Sequence, residues 1–304
     1  MKKKKIYNAV IIGLGKAGYL YNLKNSKSIS HAEAINLSKN FKLIAGVDSD
    51  SNKLKSFKKF YRTNTYKSLK MLIKKEKFDL IILSVPTSKQ YKVLKQILEV
   101  TKNKFILCEK PCTENLSQIK KISNLLERKN SKCFVNFQRL YLNSTKKIKK
   151  ILFKKDNIKI NVTYSNGILN SASHYISLFL SFFGNNYIVN KSKFKKKLSR
   201  DFASNFTIRY PKRVINFKYK NNYKKIHGAF EVKNRFFHLK YLSGGHKIYI
   251  KNYKSKTFKK IKSDIMLSQS KVYEEVYKEI NSKKNNLSSL NNAIQTMSVI
   301  KQIK

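Results

Sequence analysis

In the first half of the chain the apolar residues come in short, nearly unbroken runs. Tyr7 to Ile12, Phe41 to Val47, Leu80 to Ser84 and Phe105 to Cys108 are rich in Val, Ile, Leu and Phe, the pattern of strands buried on both faces. Between them the period changes. His31 to Ser38, Leu54 to Tyr61, Ser68 to Lys75, Lys89 to Val100 and roughly Thr113 to Lys129 read as helices, and in the fourth of these Val93, Leu94, Ile97 and Leu98 share one face. Alternation of strand and helix at this length predicts an α/β domain, a doubly wound parallel sheet with helices on both sides.

After Val135-Asn136-Phe137-Gln138-Arg139 the pattern turns to period two. Phe206, Ile208 and Tyr210 alternate with polar residues, Pro211-Lys212-Arg213 turns the chain, and Ile215, Phe217 and Tyr219 follow. Phe237, Leu239 and Tyr241 lead through Ser243-Gly244-Gly245 into Ile248 and Ile250. These are half-buried antiparallel strands. A strongly apolar helix, Tyr175 to Phe183, ends at Gly184, and two stripes close the chain: Val272, Val276 and Ile280, then Leu290, Ile294, Met297 and Ile300. The expected division is an α/β domain over 1–138 and an α+β domain with a mainly antiparallel open sheet over 139–304. Helices on only one face of that sheet leave an apolar face that needs a partner, so a homodimer or homotetramer is expected.

The first strand runs into Gly13-Leu14-Gly15-Lys16-Ala17-Gly18, a G-x-G-x-x-G spacing placed between strand and helix. Gly13 allows the tight turn, Gly15 lets backbone approach a pyrophosphate, and Gly18 lets the following helix pack on the strand with its N-terminus toward the anion. A ligand-free turn has the same glycines, so the rest of the chain must agree. The second strand ends on Asp48, where an acid accepts hydrogen bonds from adenosine ribose hydroxyls; a turn residue in Asp48-Ser49-Asp50 is the alternative. A long polar loop, Tyr19 to Ser30, separates the glycines from this strand. Phe105 to Cys108 runs into Glu109-Lys110-Pro111, which sets a lysine at a strand end, although by composition Lys110 is one surface lysine among many.

Taken together, Gly13-Leu14-Gly15-Lys16-Ala17-Gly18, Val85-Pro86-Thr87 and Cys108-Glu109-Lys110-Pro111 resemble the glucose-fructose oxidoreductase / inositol dehydrogenase (Gfo/Idh/MocA) family, with Glu-Lys-Pro its most specific mark. Ser30-His31-Ala32, Phe41 to Asp50, Cys133 to Tyr141 and Gly167 to His174 resemble members of surface-glycan biosynthesis. The resemblance implies a Rossmann domain followed by an α+β domain, NAD as cofactor with NADP possible, and a sugar or nucleotide-sugar substrate. It implies cofactor contacts from Gly13, Leu14, Gly15, Lys16, Ala17, Gly18, Asp48, Ser84, Val85, Pro86, Glu109 and Lys110. Catalysis falls to Lys110 and His174, and substrate binding to Asn136, Arg139, Tyr164 and Asn170.

His174 opens the apolar helix, where a helix N-terminus disfavours the charged imidazole and suits it to act as a base. His31, His227, His238 and His246 lack that setting and read as capping or core residues. Many family members carry an Asp four residues before this His; here Asn170 stands there, which weakens the case for an acid-assisted base.

Charge changes the picture less than its size suggests. The 304 residues carry 67 Lys+Arg against 16 Asp+Glu, a formal net charge of +51, a field that attracts anions and polyanions. Only seven of the basic residues are Arg, and they and the lysines are spread through every segment, whereas nucleic-acid readers concentrate charge and rely on Arg. Together with the excess of Asn, Ile, Tyr and Phe this matches A/T-rich coding, and no specific nucleic acid is expected. Cys108, Cys112 and Cys133 lack paired metal-ligand spacing, so no disulfide framework and no metal site are expected. Met1 to Lys5 with the apolar run behind it resembles a signal peptide only superficially, and no run is long and apolar enough to span a bilayer. A cytoplasmic NAD(P)-dependent oxidoreductase acting on a hydroxyl or keto carbon is the reading that follows. A biliverdin-reductase-like reductase, a cofactor-binding regulator without turnover and, less favoured, a nucleic-acid binder are the alternatives.

Overall fold

A computed structural model describes residues 5–21, 29–153, 157–199, 201–221, 228–281 and 290–304. His227 and most of the polar loop after Gly18 lie outside the described residues. The chain divides into two compact units, Met1–Gln138 with Met266–Ala293, and Arg139–Ile265 with Ile294–Lys304. The division near residue 139 coincides with the change of hydrophobic period, while Met266–Ala293 groups with the first unit.

The first unit is built on six parallel strands, β1 (Tyr7–Ile12), β2 (Phe41–Val47), β3 (Asn64–Tyr66), β4 (Leu80–Leu83), β5 (Phe105–Cys108) and β6 (Lys132–Val135), in the order β3-β2-β1-β4-β5-β6. Val10, Ile11, Ile81, Ile82 and Leu107 are buried, as expected for strands covered on both faces. The order reverses between β1 and β4, which opens a crevice at the carboxyl ends of the strands. Polar caps set where the helices begin. Asp50 accepts from the amides of Asn52 and Lys53 at 2.9 and 3.3 Å, so the helix Ser51–Tyr61 starts a turn before its first apolar residue. Asn115 does the same for Leu116–Arg128 through Gln118 at 3.0 Å. The helix Ser268–Asn281 completes this unit: Tyr273 and Tyr277 stand edge-on to Phe41, with ring centroids 5.6 and 6.2 Å away, and the Tyr7 hydroxyl donates to Asn281 at 3.0 Å.

The second unit holds an eight-stranded mixed sheet. β7 (Ile158–Tyr164), β8 (Ile188–Leu198), β9 (Asp201–Tyr210), β10 (Arg213–Tyr219), β11 (Ala229–Lys233), β12 (Phe237–Leu242), β13 (Lys247–Asn252) and β14 (Lys259–Lys260) lie in the order β14-β13-β12-β11-β7-β10-β9-β8. Only β7 and β10 pair in parallel. One face is apolar, with Ile160, Val162, Ile215, Phe217, Val232 and Leu239 buried, and the helix Ser173–Phe183 packs on it through Phe179, 5.3 Å from Phe230, and Tyr175, 6.3 Å from Tyr241. The opposite face is not apolar, contrary to the expectation. Thr207 donates to Asn216 at 3.2 Å, Asn216 donates to Asn161 at 3.0 Å, and Lys159, Arg209 and Lys233 flank this row. Period two dictates the result: the alternate positions of β7 are all polar, and those of β9, β10 and β11 are mostly polar, with Ala203, Val214 and Ala229 the exceptions, so only one face gains much from burial.

Candidate active site

The parallel sheet brings four predicted segments to one edge, because each follows the carboxyl end of a strand. Backbone hydrogen bonds align them: Gly13 donates to Val47 at 2.8 Å, Ser84 to Ile12 at 2.8 Å, Glu109 to Leu83 at 2.9 Å and Asn136 to Cys108 at 2.8 Å. Gly13 has φ +96°, and a Cβ there would stand 2.7 Å from the backbone of Ser84, so only glycine fits. A Cβ on Gly18 would overlap the Gly13 carbonyl oxygen. A Cβ on Gly15 would meet nothing within 4 Å. The middle glycine therefore faces open space while its neighbours are crowded, the cradle a pyrophosphate needs.

The turn after Gly15 is a short π-helical stretch, Lys16–Leu20, not a full α-helix, with the Tyr19 and Leu20 amides both on the Gly15 carbonyl. The Leu14 amide donates to Asp48 Oδ2 at 2.8 Å, and Asp48 Oδ1 accepts from Asp50 at 3.0 Å. Lys53 stands 3.8 Å from Asp48 and 3.4 Å from Asp50. Asp48 thus shapes the glycine loop as well as ending β2. Ser84, Val85 and Pro86 follow β4 directly, and Gln90, one turn into the helix Thr87–Val100, donates to the Val85 carbonyl at 3.3 Å.

Glu109 and Lys110 form the turn after β5, closed by the Cys112 amide on the Glu109 carbonyl at 3.0 Å. Glu109 Oε1 accepts from Asn136 Nδ2 at 2.7 Å and lies 2.9 Å from His31 Nε2. Asn136 Nδ2 also donates to Gln269 Oε1 at 3.1 Å, and His31 Nδ1 lies 2.9 Å from both Gln269 Nε2 and the Tyr273 hydroxyl. Burial works against the Glu109 anion, yet the hydrogen bond from His31 and the charge His31 carries when protonated, followed by the hydrogen bond from Asn136 and the charge of Lys110, outweigh it and hold its carboxyl below the usual range. Burial pushes the Tyr273 hydroxyl well up, and the nearby Glu109 charge adds to the effect. Cys108, Cys112 and Cys133 are buried free thiols, and among the described residues no group of side chains is set to hold a metal ion.

Residues 7–137 match the family model Gfo/Idh/MocA, described as an oxidoreductase family with an NAD-binding Rossmann fold. The match covers the Rossmann part of the first unit. The matched part is the NAD-binding domain of an oxidoreductase, and the cradle around Gly15 fits such a dinucleotide. No curated protein matches the chain. The solved structures similar in fold include the following three. The WlbA dehydrogenase of Bordetella pertussis, solved with NADH and UDP-GlcNAcA, is 13% identical with TM-score 0.76, covering 99% of this chain and 95% of that one. A variant of the 3-ketoreductase KijD10 of Actinomadura kijaniata, solved with TDP-benzene and NADP, is 11% identical with TM-score 0.80, covering 98% and 97%. An Agrobacterium radiobacter oxidoreductase solved with NAD+, L-tartaric acid and magnesium is 11% identical with TM-score 0.77, covering 97% and 94%.

The second unit holds the other predicted residues in different settings. His174 is half-buried and lies in the helix Ser173–Phe183, which continues from a π-helical stretch, Ile168–Ala172. The first amides of that run belong to Asp201, which accepts from Leu169 at 3.1 Å and Asn170 at 2.9 Å. His174 is therefore more than a turn inside the helical run, and the helix-end argument for its neutral form does not hold, because that field fades within the first turn. Gly167, at φ +86°, leaves the space this carboxylate occupies. Asn170 is exposed. Tyr164 is fully buried; its hydroxyl donates to the Ser204 carbonyl and accepts from the Ser204 amide at 3.0 Å, so both its hydrogen-bonding directions are used in the core. Arg139 is buried, donates to the Gly244 carbonyl at 3.1 Å and lies over the Tyr175 ring at 5.7 Å. His31, Gln269, Tyr273 and Asp201 escape sequence reasoning as site residues; only His31, in the Ser30-His31-Ala32 stretch, carries a sequence signal.

Proposed function

We propose that the chain transfers hydride between a nicotinamide cofactor and a hydroxyl or keto carbon of a sugar or nucleotide sugar in glycan assembly in the cytoplasm. The observation that carries this reading is Lys110, set in the turn after β5 on the same sheet edge as the Gly13–Gly18 cradle, where a parallel sheet holds its ligands. The backbone of the glycine loop and Asp48 hold the dinucleotide. Once bound there, the nicotinamide would supply the hydride chemistry. Lys110 stabilises the alkoxide charge that develops on the reacting oxygen, and His174 carries the hydroxyl proton. Support for a nucleotide-sugar substrate comes from WlbA and KijD10, solved with UDP and TDP ligands.

The test is a panel of UDP- and TDP-linked sugars, including uronic acids and keto sugars, offered with NAD+ or NADH while the absorbance of the reduced nicotinamide is followed. Turnover confined to the nucleotide sugars supports the proposal. Tight NADH binding with no turnover on any member would favour the cofactor-binding regulator, and turnover on free polyols alone would remove the nucleotide sugar.

A further inference from the structure

Glu109, Asn136, Gln269, His31 and Tyr273 come from four separate elements of the first unit and meet in one hydrogen-bonded cluster. His31 is 1% and Glu109 21% exposed at the side chain, and Asn136 is buried. The donors and acceptors can be assigned by elimination. Asn136 must turn its amide NH2 toward Glu109, since a carbonyl oxygen 2.7 Å from a carboxylate would be repelled. The same nitrogen donates to Gln269, so Gln269 presents Oε1 to it and Nε2 to His31. His31 Nδ1, facing an NH2 group, is then an acceptor, and its single proton sits on Nε2 and points at Glu109.

We propose that His31 is a positioning residue of the active site, held as the Nε2–H imidazole by Gln269 and fixing, through Glu109, the turn that carries Lys110. Glu109 is gripped at both ends: its amide and carbonyl belong to the sheet edge and the turn, and its Oε1 is clamped by His31 and Asn136. A side chain fixed at both ends leaves the next residue little freedom, which is what a reactive lysine requires. The chain supplies this from a distance. His31 is capped into its helix by Ser30, and Gln269 lies on the helix Ser268–Asn281, which completes the first unit after a long absence of the chain. The titratable and charged groups facing the imidazole are Glu109 and Tyr273, with Lys110 adjoining Glu109.

The functional weight of this clamp rests on the reading of Lys110 as the reactive lysine, whereas its geometry does not. Full-length protein labelled at histidine nitrogen is examined by side-chain 1H–15N correlation, with the His31 signals identified by their loss in His31→Gln. A single proton on Nε2 with Nδ1 bare at neutral pH is expected; a proton on Nδ1, alone or with Nε2, overturns the proposal. Hydrogen exchange of the Cys112 amide, which closes the turn, should quicken about tenfold in His31→Ala, the loss of one charge-assisted hydrogen bond, and return most of the way in His31→Gln, which keeps a donor toward Glu109. Unchanged exchange in His31→Ala overturns the proposal as well. Neither readout involves turnover, so Lys110→Met retaining wild-type rates would remove the Lys110 reading alone.

Discussion

The Leu14 amide donates to Asp48 Oδ2 at 2.8 Å, so the acid at the end of β2 fastens the glycine loop before any ligand arrives. Its other oxygen takes the Asp50 amide, and the lone pairs left over are those available to a ribose. Asp48→Ala should therefore weaken NADH binding beyond the loss of a ribose contact, which by itself is worth about 1.5–3 kcal/mol. Asp48→Asn, which keeps one acceptor for Leu14, should lie between the two and narrow the preference for NADH over NADPH. Titrating both reduced cofactors by nicotinamide fluorescence measures this; equal affinities in the wild-type protein would remove Asp48 as the source of cofactor choice.

Glu109 makes acid stability a test of the cluster. Its carboxyl sits below the ordinary range because the hydrogen bond from His31 and the charge His31 carries when protonated, together with Asn136 and the Lys110 charge, outweigh burial. The unfolded chain then takes up its proton first as the pH falls. The stabilisation is full above about pH 4.3, the ordinary carboxyl value, and is lost as the pH drops through the lowered folded value. Urea midpoints of wild type and Glu109→Gln should differ by a constant amount near neutrality and converge in acid. A gap that widens toward acid would mean that the carboxyl is raised instead.

The motifs of the first unit were legible because backbone geometry forces them. Gly13 and Gly18 are glycines since a side chain at either would strike backbone, and Asp48, Lys110 and their neighbours sit at strand ends that the apolar runs mark directly. What sequence could not reveal is long-range polar pairing. Nothing near Gln269 signals that it faces His31, and the position of Asn136 two residues before Gln138 gives no hint that its amide is spent on Glu109 and Gln269. Helix starts were missed by a turn where the first residues are polar, as at Ser51. β8 carries a run of lysines with no apolar face to read, and a period-two strand places a tyrosine such as Tyr164 in the core as readily as at a site.

The polar face of the second sheet bears on self-association. Lys159, Arg209 and Lys233 beside the Thr207-Asn216-Asn161 row outnumber Glu231 on this face, so a second copy docked on it would meet net positive charge, and like charges repel over about 10 Å at 0.1 M salt. Any dimer formed through this face should dissociate at low ionic strength and strengthen toward physiological salt. Light scattering at both conditions is the measurement. A dimer that persists at low salt, and that Asn216→Arg does not disturb, would place the contact elsewhere on the chain.

Lys110 and His174 are the residues on which the proposed chemistry depends. Loss of a proton carrier lowers turnover by about 10²–10⁴-fold, so His174→Ala should fall in that range, and Lys110→Ala should be comparably damaging. Cofactor binding should be nearly unchanged in His174→Ala, because Gly13 to Gly18 and Asp48 are untouched. If both groups serve one transition state, the double variant should lose less than the product of the single losses, since the second removal takes away help that already depended on the first. Single and double variants are compared by turnover on the nucleotide sugar the substrate panel identifies, with NADH affinity measured alongside. Full multiplicativity would mean that the two act in separate steps. Retention of most activity in His174→Ala with NADH bound as before would leave Lys110 as the proton carrier, because Tyr164, whose hydroxyl could otherwise serve, has it committed to Ser204 in the core.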